Sequence, residues 1–377
     1  MSTVATERSA APGAAMPSAR TAAGAVSAVP LEHEDLLLHR GERSGRYVII
    51  AIHSTALGPA LGGARLWHYP ETIHGVRDAL RLASGMTMKA AAAGLELGGG
   101  KGVICGPARP ATGRERSDLL LDFGDLVESL EGRYVTAEDV GTSPSDLVVI
   151  RERTSHVTGL PPEEGGSGDP SPFTAIGVEA AMRACARARF GSAELAGLRI
   201  AIAGLGHVGE KLARRLVEHG ARIAVSDIDP GKRELARKIG AHWIPSDREM
   251  VAECDILAPC ALGGAIDGAN LPLLRCEVIC GCANNQLADD RLAERLAERG
   301  ILYAPDFVVN AGGLIHVYRE IRGYSEVRAR ELALGIEDNL NGIFETADED
   351  GVTPLEAARA VALERLAGAR AEGPAIA

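Results

Sequence analysis

The stretch LRIAIAGLGHVGEKLARRLVEHGARIAVSDID, residues 198–229, decides the fold of this chain. An apolar run leads into Gly204, Gly206 and Gly209, which open a helical pattern rich in Leu and Val, and a second apolar run follows. This order is typical of a βαβ unit that binds a dinucleotide. The first glycine permits a tight turn, the second lets the backbone approach a pyrophosphate, and the third lets helix and strand pack closely. The N-terminus of the helix then faces the phosphate anion.

An acid at the end of the second strand indicates which dinucleotide binds. Asp227 stands eighteen residues after Gly209. Its carboxylate can accept hydrogen bonds from the ribose hydroxyls and repels a 2′-phosphate, so the sequence predicts NAD. Arg222 and Lys232 lie near enough to leave NADP as an alternative, and a glycine turn that binds no nucleotide is a further one. The predicted cofactor loop comprises Gly204, Leu205, Gly206, His207, Val208 and Gly209.

Length and composition describe a globular protein that acts on small molecules. The chain has 377 residues, 46% of them hydrophobic and 24% charged, which fits two domains and neither a disordered nor a membrane protein. Its apolar runs are too short to span a bilayer, and a formal net charge of -11 offers no broad basic surface for nucleic acid. Seven cysteines without paired CxxC spacing predict no metal site and no disulfide framework, and they indicate a reducing cytoplasm.

Strand and helix patterns alternate along the chain, which predicts an α/β fold. RYVIIAIHST, from residue 46, reads as a strand, residues 72–93 as a helix, and GGG at 98–100 as a turn before the strand GVIC. The segment VTGLPPEEGGSGDPSPFT, residues 157–174, is dense in Pro, Gly and acids and marks a domain boundary. The predicted parts are a disordered leader (1–30), an N-terminal α/β domain (31–165), a Rossmann NAD-binding domain (170–325) and C-terminal helices that return to the N-terminal domain (326–377).

The stretch MTMKAAAAGLELGGGKGVI, residues 86–104, holds two lysines in an apolar neighbourhood. Two ammonium groups in one desolvated cleft lower each other's pKa. Lys89 and Lys101 can therefore divide the work, one binding a carboxylate and the other transferring protons near neutrality. The alternative is that both are ordinary surface lysines.

Several motifs, in one order along the chain, resemble the amino acid dehydrogenase family that contains leucine, valine and phenylalanine dehydrogenases. The motifs are HSTALGPALGGARLW, LASGMTMKAAAAGLELGGGKGVI, RYVTAEDVGT, GLGHVG, APCALGG, ANNQL and YAPDFVVNAGG. The similarity runs from about His53 to the C-terminal helices. It implies that an L-amino acid is converted with NAD to a 2-oxo acid and ammonia, and that the N-terminal domain binds substrate and assembles homo-oligomers, either dimers or octamers.

The resemblance also implies roles for individual residues. Lys89 would hold the substrate α-carboxylate, and Lys101 would activate water at the imino carbon. Asp139 would move protons to and from the amine, although a solvated loop acid is its alternative. Asn285 and the carbonyl of Gly62 would contact the amino group, and a plain turn residue is the alternative for Asn285. On the nucleotide side the implied contacts add Ala261 and Asn310.

Four apolar positions would receive the substrate side chain by the same resemblance: Leu61, Ala137, Leu314 and Val317. They offer no charge to a glutamate side chain, so a hydrophobic amino acid is implied. Leu61 resembles the aliphatic-specific members, and Leu314, larger than the usual residue, favours valine or 2-aminobutyrate. HVYRE after GGLI resembles the aromatic branch in part. The alternatives are a phenylalanine-type dehydrogenase, a different Rossmann oxidoreductase with lysine and aspartate, and a catalytically inactive relative that binds nucleotide.

Overall fold

Two β-sheets with flanking helices organise the part of the chain that the computed structural model describes, residues 31–372. The predicted leader, residues 1–30, lies outside the described residues. From His33 onward the described residues form one compact unit. The boundaries proposed between domains within this unit stay a prediction.

The first sheet is mixed and contains five strands in the order β1-β2-β4-β3-β5. The strands are β1 (Asp35–Arg40), β2 (Tyr47–Ser54), β3 (Ala60–Trp67), β4 (Gly98–Cys105) and β5 (Tyr134–Glu138). The helices of this region are α1 (Thr72–Ala92), α2 (Gly113–Glu128) and α3 (Pro144–Arg151). β2 pairs antiparallel with both β1 and β4, whereas β3 pairs parallel with β4 and β5. Parallel pairing brings the carboxyl ends of β3, β4 and β5 to one edge of the sheet.

The glycine run Gly98–Gly100 is not a turn, so that expectation was wrong. It forms the first half of β4, in the middle of the sheet. A Cβ at Gly99 would lie 2.1 Å from the backbone nitrogen of Thr87 in α1, and one at Gly100 would lie 2.7 Å from the ring of Tyr134. Glycine is therefore required because helix and strand approach each other too closely for any side chain. The consequence is that Lys101 lies on a buried central strand.

The second sheet is entirely parallel and has the strand order β11-β10-β9-β6-β7-β8. After α4 (Ser171–Phe190) come β6 (Arg199–Ala203), α5 (His207–Glu218), β7 (Arg222–Ser226), α6 (Lys232–Ile239), β8 (His242–Trp243), β9 (Ile256–Pro259), β10 (Val278–Ile279), α7 (Leu292–Glu298) and β11 (Leu302–Tyr303). The chain reverses direction across the sheet between β6 and β9, which creates a crevice at their carboxyl ends. The predicted α/β fold with a Rossmann sheet is confirmed.

The remaining helices bring the chain back to the first sheet. They are α8 (Asp306–Val309), α9 (Gly312–Arg322), α10 (Glu326–Leu334), α11 (Ile336–Asp350) and α12 (Pro354–Glu372). Asn339 in α11 donates a side-chain hydrogen bond to the carbonyl of Ala92 at 3.0 Å, and Arg365 in α12 donates to that of Ala91 at 3.0 Å. These bonds satisfy carbonyls at the C-terminal end of α1. Among the described helices, none combines the length and the hydropathy needed to cross a membrane.

One buried hydrophobic cluster joins residues from both halves of the structure. It includes Leu61 in the first sheet, Leu97 just before β4, and Ile202 and Val225 in the second sheet. Each such side chain contributes about 1.5 to 3 kcal/mol when fully buried. The glycine loop and the two lysines therefore belong to one continuously packed unit.

Candidate active site

The glycine loop joins β6 to α5 at the carboxyl end of the strand. Gly204 has a φ of 111°, which L side chains rarely adopt. A Cβ at Gly209 would lie 2.0 Å from the carbonyl oxygen of Gly204, so only glycine lets α5 begin this close to β6. A Cβ at Gly206, in contrast, meets no described atom within 4 Å. The space in front of Gly206 is therefore free for a ligand.

Asp227 follows β7 and lies against this loop. Its carboxylate accepts the backbone N–H of Leu205 at 2.8 Å and that of Asp229 at 2.9 Å. Lys232 donates to the carbonyl of Leu205 at 3.0 Å, so its ammonium is occupied by the loop backbone. A fixed acid beside open space and a helix N-terminus fits a dinucleotide whose ribose hydroxyls meet Asp227. Ala261 packs next to the turn, 2.9 Å from where a Cβ on Gly204 would lie.

Lys101 and Asp139 form the chemical centre of the first half. Lys101 is 5% exposed on β4, and its Nζ lies 3.0 Å from Oδ2 of Asp139, which follows β5. Burial lowers the pKa of Lys101, while the Asp139 carboxylate opposes that shift. Burial acts to raise the pKa of Asp139, but the charges of Lys101 and Arg65 hold it below its ordinary value. The pair can therefore pass a proton across one short hydrogen bond.

A chain of alternating charges extends behind Asp139, and sequence reasoning missed it. Arg65 donates through Nε to Oδ2 of Asp139 at 2.8 Å and forms an ion pair with Asp78 at 2.8 Å. Asp78 also accepts the hydroxyl of Tyr69 at 2.7 Å and the guanidinium of Arg81 at 3.0 Å. Arg65 follows the glycine pair of ALGGAR, and that position is the only sequence signal for its role. The network orients the Asp139 carboxylate toward Lys101.

Lys89 lies at the C-terminal end of α1 and reaches the second half of the structure. Its Nζ donates to Oδ1 of Asn284 at 3.2 Å, and that oxygen also accepts Nδ2 of Asn310 at 2.8 Å. Burial, with the charge of Lys101 adding to it, lowers the pKa of Lys89 to about 8, and the carboxylate of Asp306 opposes the shift. Both lysines thus have lowered pKa values, but Lys101 is paired with the carboxylate of Asp139 and Lys89 with the amide of Asn284.

The structure brings Asn284, rather than the neighbouring Asn285, to this network. Asn285 has a left-handed backbone with φ 51°, and its carbonyl accepts the N–H of Gly264 at 2.6 Å. Sequence reasoning missed Asn284 because only the backbone conformation determines which of two adjacent asparagine side chains points toward Lys89. The carbonyl of Gly62 also has a partner, since it accepts the hydroxyl of Tyr134 at 2.5 Å. Contacts of Asn285 and Gly62 with an amino group stay a prediction.

One cavity of about 690 Å³ is lined by most of the predicted catalytic and substrate-binding residues and by two of the predicted cofactor residues. The predicted residues that line it are Leu61, Lys89, Lys101, Ala137, Asp139, His207, Asn310, Leu314 and Val317. Asn284 and Glu138 line it as well, whereas Gly62 and Asn285 are not among its lining residues. The amide oxygen of Asn310 is buried and has no hydrogen-bond partner in the described chain, so it is available to a ligand that donates.

Comparison with known proteins agrees with this geometry. Residues 38–156 match the family model for the Glu/Leu/Phe/Val dehydrogenase dimerisation domain, and residues 231–373 match that for glutamate/leucine/phenylalanine/valine dehydrogenase. Residues 177–262 match the NAD-binding domain of the D-isomer specific 2-hydroxyacid dehydrogenases.

Relatives match over most of their length. The chain is 45% identical to leucine dehydrogenase of Bacillus subtilis strain 168, covering 89% of this chain and 92% of the relative. It is also 45% identical to valine dehydrogenase of Streptomyces virginiae, covering 90% and 95%. The crystal structure of L-tryptophan dehydrogenase from Nostoc punctiforme superposes with a TM-score of 0.81 at 41% identity, covering 90% of this chain and 98% of that one.

The fold, the nucleotide loop and the lysine–aspartate site define an NAD-dependent dehydrogenase that acts on amino acids. The chain belongs to the Glu/Leu/Phe/Val dehydrogenase family. The predicted cofactor, NAD, is thereby confirmed, and an inactive relative is no longer a competing interpretation.

Proposed function

We propose that this enzyme oxidatively deaminates a branched-chain aliphatic L-amino acid to its 2-oxo acid and ammonia, and catalyses the reverse reductive amination. The observation that carries the proposal is the single cavity in which Lys89, Lys101 and Asp139 face the apolar set Leu61, Ala137, Leu314 and Val317. The lysines suit a carboxylate and a proton transfer, while the apolar set suits a hydrocarbon side chain.

Lys89 is the residue we assign to the substrate carboxylate. Below its pKa of about 8 the ammonium is charged, and in a half-buried cleft it attracts an anion strongly. Glu138 lines the same cavity, so the carboxylate of a glutamate side chain would meet an acid there. This arrangement supports a hydrophobic rather than an acidic substrate.

Lys101 and Asp139 would manage the protons of the reaction. When bound, NAD accepts the hydride that leaves the α-carbon, which leaves an iminium group on the substrate. Lys101, whose pKa burial lowers, would in its neutral form take a proton from the water that adds to the imino carbon, which gives a carbinolamine. That proton would cross the 3.0 Å contact to Asp139, which delivers it to the carbinolamine nitrogen. As the C–N bond breaks, the carbinolamine hydroxyl would give its own proton to Lys101 and become the carbonyl of the 2-oxo acid. One water is consumed, and a 2-oxo acid and ammonia are released.

The residues assigned to the cofactor would hold it from both sides of the crevice. Gly204, Gly206 and the N-terminus of α5 would receive the pyrophosphate, and Asp227 the adenosine ribose. The unpaired amide oxygen of Asn310 suits the carboxamide N–H of the nicotinamide.

A panel of amino acids assayed with NAD and with NADP tests the proposal, with NAD(P)H absorbance as the readout. We expect activity on valine, leucine and 2-aminobutyrate with NAD, and ammonia-dependent NADH consumption with their 2-oxo acids. A faster rate on phenylalanine or tryptophan would favour the aromatic alternative, which the similarity to the Nostoc enzyme makes a real competitor. A robust glutamate rate, or consumption of NADH without ammonia, would overturn the proposal.

Assembly and location complete the proposal. The match of residues 38–156 to a dimerisation-domain model supports a homo-oligomer, either a dimer or an octamer. Multi-angle light scattering of the purified protein measures its mass, and a monomer would contradict this part. We also propose that the enzyme is cytoplasmic, in keeping with its free cysteines in the described region.

A further inference from the structure

A second cavity of about 460 Å³ reaches the catalytic pair from another direction. It lies between α1, the loop that follows β10, and α12. The residues that line it away from the main cavity include Ser84, Gly85, Asn285, Tyr303, Asp306 and Arg359.

The two cavities share one wall. Met86, Lys89, Lys101, Asp139 and Asn284 line both of them. The hydrogen bond from Lys89 to Asn284, 3.2 Å long, belongs to this wall. Lys101 and Asp139 can therefore be approached from either cavity.

The outer part of the second cavity is polar and opens to solvent. Asp306 is buried, and its carboxylate accepts the backbone N–H of Gln286 at 2.9 Å. Arg359 and Asp290 form an ion pair between largely exposed side chains. Gly85 is exposed on α1. These polar groups can hydrogen-bond a small molecule, and an apolar wall of Leu82, Met88, Leu287, Phe307 and Leu355 lies beside them.

The reaction needs a route of this kind. At one carbon it consumes a water and frees an ammonia, and in the reverse direction ammonia must reach the carbonyl carbon of the 2-oxo acid. In the proposed function the 2-oxo acid and the nicotinamide would fill the main cavity. A separate approach to Lys101 and Asp139 lets the smallest reactants exchange without release of the larger ones.

We propose that the second cavity is the port through which water and ammonia reach and leave Lys101 and Asp139. This inference rests on the proposed deamination. It assigns the main cavity to the amino acid and the nicotinamide, and the second cavity to molecules with a single heavy atom.

Gly85 offers a means to block the port. It lies within α1, and a Cβ built on it meets no described atom within 4 Å, so a side chain there extends into open space. Because Gly85 lines the second cavity, we expect Gly85→Phe and the smaller Gly85→Leu to fill part of it, and Gly85→Ala is the matched control that leaves it open. All three residues form helix more readily than glycine, so the helix itself is not weakened.

The test measures reductive amination of a branched 2-oxo acid with NADH at varied ammonium. For Gly85→Phe and Gly85→Leu we expect the ammonium KM to rise by about tenfold, with the 2-oxo acid KM changed by less than about twofold. The NADH Kd, measured by fluorescence, should be unchanged, and Gly85→Ala should match the wild type in every parameter. Unfolding temperatures verify that each variant is folded. If Gly85→Phe does not fold, the ammonium KM of Gly85→Leu tests the port.

Two results overturn the port while leaving the proposed function intact. The first is that the wild type is active and the folded Gly85→Phe and Gly85→Leu variants have the same ammonium KM as the wild type. The second is an equal rise in the KM of ammonium and of the 2-oxo acid, which would make the second cavity part of the main site. A wild type without ammonia-dependent activity would instead refute the proposed function, and the port with it.

Discussion

Exchanging single glycines of the cofactor loop for alanine separates cofactor binding from folding. Gly206→Ala adds a methyl group where no described atom lies within 4 Å, whereas Gly209→Ala places one 2.0 Å from the carbonyl oxygen of Gly204. The same chemical change is thus made three residues apart, at one position facing open space and at the other facing the backbone.

The expected magnitudes differ accordingly. Gly206 has φ -73° and ψ -164°, which alanine can adopt, so the free energy of unfolding should change by less than about 1 kcal/mol. The methyl group would meet the pyrophosphate, and overpacking of this kind costs about 1 to 3 kcal/mol, or roughly 5- to 150-fold in Kd for NAD. Gly209→Ala should lower the unfolding temperature by about 2 to 10 °C, because a backbone oxygen must move.

Isothermal titration calorimetry with NAD and differential scanning calorimetry without it measure the two effects independently of activity. Gly206→Ala should weaken NAD binding at an unchanged unfolding temperature, and Gly209→Ala should be destabilised even without NAD. Unchanged NAD affinity in Gly206→Ala would refute the placement of the pyrophosphate at this loop. A fully stable Gly209→Ala would refute the steric argument.

Three further predictions concern the main cavity. Lys101→Ala should reduce kcat by about 10² to 10⁴ while the Kd for NADH stays unchanged, and a loss confined to KM would contradict its role as a base. Leu314→Ala should raise the kcat/KM ratio of leucine to valine by about tenfold, because one methylene is worth about 1 to 3 kcal/mol; an unchanged ratio would remove Leu314 from the side-chain pocket. Lys89→Met should raise the unfolding temperature at pH 7, because the half-buried Lys89, with a pKa of about 8, binds fewer protons in the folded than in the unfolded chain between pH 8 and 10.5. The destabilisation caused by its charge is therefore complete below pH 8 and fades as the pH rises toward 10.5. The gain should therefore shrink toward pH 10, and a pH-independent gain in calorimetry would contradict the lowered pKa.

The predictable part of this protein is local in sequence. Gly204, Gly206, Gly209 and Asp227 lie within one βαβ unit, so their spacing alone predicted the nucleotide loop and the acid beside it. The apolar surroundings of Lys101 likewise indicated a buried lysine. In each case the physical constraint acts between residues close along the chain.

What only the tertiary structure decided depends on contacts between distant segments. Gly98–Gly100 forms a central strand rather than a turn because α1 packs against β4, and nothing in the run itself specifies that neighbour. Asn284 reaches Lys89, 195 residues away in sequence, because the left-handed backbone at Asn285 turns that residue elsewhere. Composition and spacing determined that this chain has a dinucleotide fold and a buried lysine, whereas the partners of Lys89 and Lys101 were decided by close packing between elements that the sequence keeps far apart.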